Sequence, residues 1–333
     1  MDGYIGKSLI LVFFVPIFLV GLSGNFWVIF SLVRAWPRST AYAQMTQYIL
    51  LLSIADLFVL FMTPVVTSYF LLNSFVFGEV GCKIYFAIEN VNKLLSVAIL
   101  VLMALERFLV VVRPFGSGCC RSSQKPTRNV ILIVVILVPI IVCLCFPIIY
   151  YAQLNEMVDM RPDGTLIHLA TLCMSTLPEG WMGPFSFYMF VLGYVLPVCL
   201  VTVCYAFLIR HLQRNNQRMT STSSSSKRVR SVVRSVLAVI LFHFVCWTPF
   251  WFFIVLPMLS HYRWVDLDFL ISSDHFQTAR MISSFLPYLN AAGNWIFYSQ
   301  TITHAQSAQN RRRSQRTATF QEQLKRSLMG SKL

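Results

Sequence analysis

Seven long, charge-poor apolar stretches recur along the chain, and nothing else in the sequence constrains its fold as strongly. The hydrocarbon core of a bilayer is about 30 Å thick, and a helix of about 20 apolar residues crosses it. The stretches fall at 8–33, 44–72, 80–112, 129–151, 185–209, 232–259 and 277–301. The fourth, NVILIVVILVPIIVCLCFPIIYY, and the sixth, VVRSVLAVILFHFVCWTPFWFFIVL, are the clearest; the seventh is the weakest by hydropathy. Composition agrees. Of the residues, 56% are hydrophobic and 12% charged, where a soluble domain is nearer about 25% charged. Backbone groups in lipid have to be satisfied within a helix or a closed barrel. The expected fold is therefore all-α: a seven-helix transmembrane bundle over 1–301, then a basic tail, 302–333, without ordered structure. The first stretch is too long for a cleaved signal peptide and lacks an Ala-x-Ala site, so it reads as a true span. Few residues precede it, too few for a separate ligand-binding domain, and a start truncated in the gene is one reading.

Lysine and arginine set the orientation. The loops after the first, third and fifth spans, with the tail, carry most of them, including Arg34, Arg113, Lys125, Arg214, Lys227, Arg230 and Arg311 to Arg313. The opposite loops offer Lys7, Arg161 and Arg263, with Lys83 and Arg280 at helix mouths. The positive-inside rule then places the N-terminus outside and the C-terminus in the cytoplasm. The net charge of +14 is a topology signal, not a nucleic-acid signal, because the basic residues are scattered over loops on one side. The outer side is acidic, with Glu79, Glu156, Asp159, Asp163, Asp266 and Asp268. That is either a field that draws cationic ligands or an ordinary solvated surface. Of nine cysteines most lie inside spans, and only Cys82 and Cys173 fall on the oxidising side, where they make a natural pair. Cys119 and Cys120 are cytoplasmic, hence reduced or acylated.

One stretch runs against the apolar pattern: VLMALERFLVVVRPF, which carries Glu106 and Arg107 side by side. Cys82 lies 25 residues earlier, about 37 Å of helix. With Cys82 at the outer surface, the pair sits at the cytoplasmic mouth rather than mid-bilayer. There it is either a switch facing a cytoplasmic partner or a snorkelling interfacial arginine.

The ERF sequence resembles the Asp/Glu-Arg-Tyr motif of rhodopsin-like G-protein-coupled receptors. Further marks of that family follow in order: Gly24-Asn25, LSIAD with Asp56, Cys82, Pro197 and Tyr205, CWTP at 246–249, and LPYLNAAGNWIFY ending at Tyr298. The likeness covers residues 20–300. Within the family it is most similar to the somatostatin, allatostatin, opioid and galanin group of peptide receptors, on CMSTLPEGW, FYMFVLGYVLP and LPYLN. The resemblance implies a plasma-membrane receptor and no enzyme activity. An extracellular peptide, cationic in character, would bind outside, and a heterotrimeric G protein would engage Glu106, Arg107, Tyr205 and Tyr298 inside. Trp247 and Pro249 would form the hinge on which the sixth helix swings outward; a tryptophan merely packed beside an incidental proline kink is the alternative. Receptor kinases and arrestin would act on the Ser-rich loop 210–231 and on Ser314, Thr317 and Thr319 of the tail, unless both are solvated strips lying on membrane lipid.

The polar residues inside the spans carry the remaining chemistry. Asp56, Asn92, Ser96, Asn290 and Asn294 offer oxygens around one carboxylate; the resemblance implies a sodium ion, and a hydrogen-bonded core without one is the alternative. No other cofactor is implied. Glu89 matches a ligand-contact position, with Tyr288 as its hydrogen-bond partner, while Lys93 four residues on offers an internal salt bridge instead. With Trp247 these form the expected ligand-binding set. The seventh span has no lysine to hold retinal, which excludes an opsin. Departures from the pattern are Trp295 where the NPxxY proline belongs, Val138 or a neighbour for the fourth-span tryptophan, and His243 for a phenylalanine one turn before Trp247. A weakly amphipathic segment follows Tyr298. A biogenic-amine or chemosensory receptor of the same fold is the runner-up, disfavoured for amines by Glu89 and Lys93. A transporter is more remote, since the halves show no internal repeat. The terminal Ser331-Lys332-Leu333 reads as chance in a chain of this architecture.

Overall fold

The computed structural model describes residues 3–34, 40–112, 126–160, 166–178, 180–218 and 224–299, with isolated positions beyond. The first four spans are single helices: α1 (Gly3–Arg34), α2 (Thr40–Leu72), α3 (Gly78–Val112) and α4 (Pro126–Tyr150). A hairpin follows, β1 (Ala152–Met160) and β2 (Leu166–Ser175). The fifth span runs from α5 (Met182–Phe190) through one π-helical turn (Val191–Val195) into α6 (Leu196–Arg218), and the sixth is α7 (Ser224–His261). A short α8 (Asp268–Ile271) leads to α9 (Asp274–Ser283) and then to α10, residues 286–299. Among the described residues, six helices are long and apolar enough to cross a membrane.

The bundle turns its large apolar side chains both ways. Phe30, Phe58, Val135 and Val245 are exposed on the helix faces, as lipid contact requires. Inward, Tyr48, Met103, Tyr205, Leu208, Val236, Ile240 and Tyr298 fill one end of the bundle. Leu94, Ile141, Cys145, Phe185, Trp247 and Trp251 fill its middle. Because lipid tails are as apolar as leucine, such contacts hold helices together by close packing rather than by escape from water.

The structure adds to the sequence reading in three places. The loop after α4 is an antiparallel hairpin, with Leu154 opposite Cys173 and an irregularity at Met157/Val158. Its β1 sequence, AQLNEMVDM, was open to that reading, since apolar and polar residues largely alternate. The seventh span is not continuous: α9 ends at Ser283, and the chain turns at 284–285 before α10. Ser283 and Ser284 donate back to the carbonyls of Arg280 (2.7 Å) and Met281 (2.6 Å), and Pro287 lies in the first turn of α10, where it starts a helix well. The Ser-rich loop 210–231 is entered from both sides, by α6 as far as Arg218 and by α7 from Ser224. Its Gln, Arg and Lys are good helix formers. The fifth-span π turn has a local cause. The Leu196 N–H bonds to Val191 five residues back, and Pro197 beside it has no N–H to continue the regular ladder. Cys119 and Cys120 lie outside the described residues, as does the tail save for isolated positions, Ser314 and Thr317 among them.

Candidate functional site

The hairpin is fastened over one end of the bundle. Cys82 at the start of α3 is bonded to Cys173 of β2, with Cα atoms 5.6 Å apart. Main-chain contacts reinforce it: the Phe75 N–H donates to the Thr171 carbonyl at 2.7 Å, and the Thr171 N–H donates to Ser74 Oγ at 3.0 Å. Beside them Lys83 pairs with Glu79 at 3.1 Å. The strand is thus held across the mouth formed by α2 and α3.

Glu89 and Lys93 lie about two and about three turns further along α3 past Lys83, both partly accessible. The salt bridge that their spacing offered is not made. Glu89 accepts a short hydrogen bond from the Tyr288 hydroxyl of α10, and Tyr85 bonds to that hydroxyl in turn. Lys93 reaches toward the sixth span. Its Nζ lies 4.8 Å from the ring centre of Phe250, 5.6 Å from Trp251 and 5.9 Å from Trp247. Among the described residues its one hydrogen bond is long, 3.5 Å to Asn90 Oδ1. Gly193 in the π turn makes room for this: a Cβ there would stand 3.0 Å from the Trp251 ring.

A chain of polar bonds crosses the middle of the bundle. His243 Nδ1 meets Asn290 Oδ1 at 3.2 Å, Asn290 Nδ2 donates to Asn294 Oδ1 at 3.3 Å, and Asn294 Nδ2 donates to Asp56 Oδ2 at 3.0 Å. His243, read from sequence only as a departure, is therefore the sixth-span anchor of this chain. Asn92 Oδ1, Ser96 Oγ and Ser53 Oγ are buried without hydrogen-bond partners. The Asp56 carboxyl, amide and hydroxyl oxygens around it, and the unpartnered oxygens of Asn92 and Ser96 on α3 make the oxygen-rich donor set that a hard cation takes.

At the far end Arg107 is buried rather than extended to the surface, within electrostatic reach of Glu106, Tyr48 and Tyr205. The hydroxyls of Tyr205 and Tyr298 are buried without partners, as is Glu106 Oε2. Trp295 occupies the place of the expected proline and packs closely against Gly24 of α1. A Cβ on Gly24 would collide with the five-membered ring of Trp295. Asn25, next in sequence, donates to the carbonyls of Gly21 and Ala291, each at 3.0 Å. The Gly24-Asn25 pair thus bonds the first span to the seventh through a close approach and one amide.

Residues 24–298, containing this geometry in order, match the 7 transmembrane receptor (rhodopsin family). The chain belongs to the rhodopsin family of seven-transmembrane receptors. As a member of that family it is a multi-pass membrane protein, and the family works by signalling rather than by catalysis. Among curated relatives, the somatostatin receptor type 2 of Mus musculus is 30% identical over 241 residues, covering 71% of this chain and 60% of its own length. The somatostatin receptor type 1 of Rattus norvegicus is 27% identical over 283 residues, 84% of this chain and 65% of its length. The galanin receptor 2a of Danio rerio is 26% identical over 292 residues, 87% of this chain and 74% of its length. The chain therefore spans less than two thirds of the length of the somatostatin receptors it matches.

Within this rhodopsin-family bundle the expected set separates into three places. Glu89, Lys93, Tyr288 and Trp247 lie between the hairpin and the middle of the bundle. Asp56, Asn290 and Asn294 link up in the middle, with Asn92 and Ser96 on α3 not bonded to them. Glu106, Arg107, Tyr205 and Tyr298 lie at the far end. Phe250 and Trp251 were missed. The available signal was spacing: Trp251 follows Trp247 by one helical turn and so shares its face.

Proposed function

We propose that this chain is a receptor for an extracellular peptide with cationic character, signalling through a heterotrimeric G protein at the plasma membrane. The observation that carries it is the pairing of Glu89 with Tyr288 beneath a hairpin tethered by Cys82–Cys173. The names of its relatives, receptors for somatostatin and galanin, support the peptide class. The disulfide belongs on the oxidising side, and the basic loops belong in the cytoplasm. Both arguments put the hairpin end outside and the Arg107 end inside.

In this reading a ligand cation takes Glu89, while its bulk rests on Trp247. Ligand contacts that differ between two arrangements of the sixth span shift their populations, with Pro249 supplying the bend. Arg107, permanently charged, then exchanges its resting partners for backbone carbonyls of the G protein. Asp56, Asn92, Ser96, Asn290 and Asn294 would hold a sodium ion when one is bound, which would supply fixed positive charge beside Asp56. Phosphorylation of the 210–231 loop and the tail would recruit arrestin.

The test is ligand-stimulated nucleotide exchange beside radioligand binding, on membranes carrying the full chain, after a screen of cationic neuropeptides. Arg107→Ala should express and bind yet lose nearly all stimulated exchange. Normal signalling from Arg107→Ala would reduce the ERF pair to an interfacial charge. Agonist affinity should fall as sodium replaces a large organic cation, and Asp56→Asn should abolish that dependence. Sodium-independent affinity in the wild type would remove the ion from the account.

A further inference from the structure

Lys93 is placed unlike any other charged group among the described residues. It is partly accessible, sits near the middle of a transmembrane bundle, and is aimed at three aromatic rings of α7. An ammonium has three donors, and this one uses a single long contact to Asn90. The carboxylate one turn away, Glu89, is turned to Tyr288 instead. Ring faces attract a cation but accept no full hydrogen bond, so the charge is cushioned without being neutralised. The pocket wall is itself constructed: Phe250 and Trp251 meet edge to face at 5.4 Å, Phe190 abuts Trp251 at 5.6 Å, and Gly193 in the π turn leaves the space they occupy. Small-molecule and peptide sites have this form, apolar walls around a few aimed polar groups.

We propose that Lys93 docks a carboxylate of the ligand, so that the ligand is dipolar, with an anionic group on Lys93 and its cationic group on Glu89. The inference rests on the receptor reading above and adds the ligand's second charge. A carboxylate accepts charge-assisted hydrogen bonds from the two unused Lys93 donors, while aromatic or aliphatic parts next to it fill the space against Phe250 and Trp251. Because Glu89 and Lys93 are not bonded to each other, a ligand meets both charges without first breaking an ion pair. An amine lacking an acidic group leaves Lys93 as it stands, which is the discrimination that separates this cavity from one built for simple amines.

The experiment is thermal unfolding of the purified full chain in lipid nanodiscs with three aromatic probes. These are N-acetyl-L-tryptophan, which carries a carboxylate, its neutral carboxamide, and tryptamine, which carries an ammonium. At ten times its Kd the carboxylate should raise Tm by about 2 °C over the carboxamide. Lys93→Met should erase that difference, and Lys93→Arg should keep it. Tryptamine should still stabilise Lys93→Met, and Glu89→Gln should erase the tryptamine effect. If Lys93→Met does not fold, the wild-type contrast between carboxylate and carboxamide decides. Equal shifts for those two probes, or a difference that survives in Lys93→Met, overturn the proposal. Where tryptamine alone is selective, only the Lys93 assignment falls; where neither charged probe differs from the carboxamide, the Glu89 cavity falls too.

Discussion

The two ends of the bundle treat the same side chain differently. Near the hairpin the tyrosine hydroxyls are bonded: Tyr288 to Glu89, Tyr188 to the Leu144 carbonyl at 2.8 Å, and Tyr194 to Thr248 at 2.6 Å. At the Arg107 end Tyr205 and Tyr298 are buried about as deeply as Tyr288, and more deeply than half-buried Tyr188 and Tyr194, yet their hydroxyls have no partner. The hairpin end is held by directional bonds and a covalent link. The other end combines a few bonds, such as Ser235 Oγ to the Phe297 carbonyl at 3.0 Å, with close packing such as Trp295 against Gly24. Bonded polar groups fix one arrangement. Unbonded ones cost about 1–3 kcal/mol each and favour any other arrangement that supplies partners. The first end is suited to present charges at fixed positions, the second to change.

The largest test of this contrast is covalent. Cys82 and Cys173 are separated by 91 residues, and closing a loop of that size is worth roughly 4–5 kcal/mol in the chain-entropy account. Cys82→Ala and Cys173→Ala should each strongly reduce surface expression, with the double variant no worse than either single one. Additive losses would mean that the two thiols act separately, and the hairpin end is not fastened as described.

Next comes the shape lock. Gly24→Ala drives a methyl group into Trp295 and should lower Tm measurably, by about 1–3 kcal/mol in stability. Trp295→Ala in the same chain should recover much of that loss. A Gly24→Ala protein as stable as wild type would show that this end yields readily, and the contrast would rest on the tyrosines alone.

The smallest effects separate the tyrosines themselves. Tyr288→Phe removes the hydroxyl that donates to Glu89 and should cost about 1–3 kcal/mol. Tyr205→Phe and Tyr298→Phe remove hydroxyls with nothing to lose in this arrangement, so Tm should hold or rise by up to about 1 kcal/mol in stability. Stimulated nucleotide exchange should nonetheless fall in both. Equal destabilisation by all three substitutions, in one set of melting curves, would break the comparison.

Much of this molecule was decided by linear sequence, because lipid leaves a chain few choices. A run of about 20 apolar residues has to be a helix, so the number of spans was legible, and six of the seven are long single or near-single helices where the hydropathy put them. Motif spacing along a helix is likewise arithmetic, which is why Cys82, Glu89 and Arg107 could be ordered along α3 before any contact was known. Partner choice was not legible. Glu89 stands as close in sequence to Lys93 as helix neighbours can, yet it bonds to Tyr288, 199 residues away. Lys93 turns to rings of the sixth span that are placed by a glycine of the fifth. His243 and Trp295 read only as departures from a pattern until packing showed one joining the polar chain and the other filling the space above Gly24. Helix formation is set by bonds within four residues. Which face meets which neighbour depends on how whole helices pack, on the π turn in the fifth span and on the break in the seventh, and those are properties of the bundle.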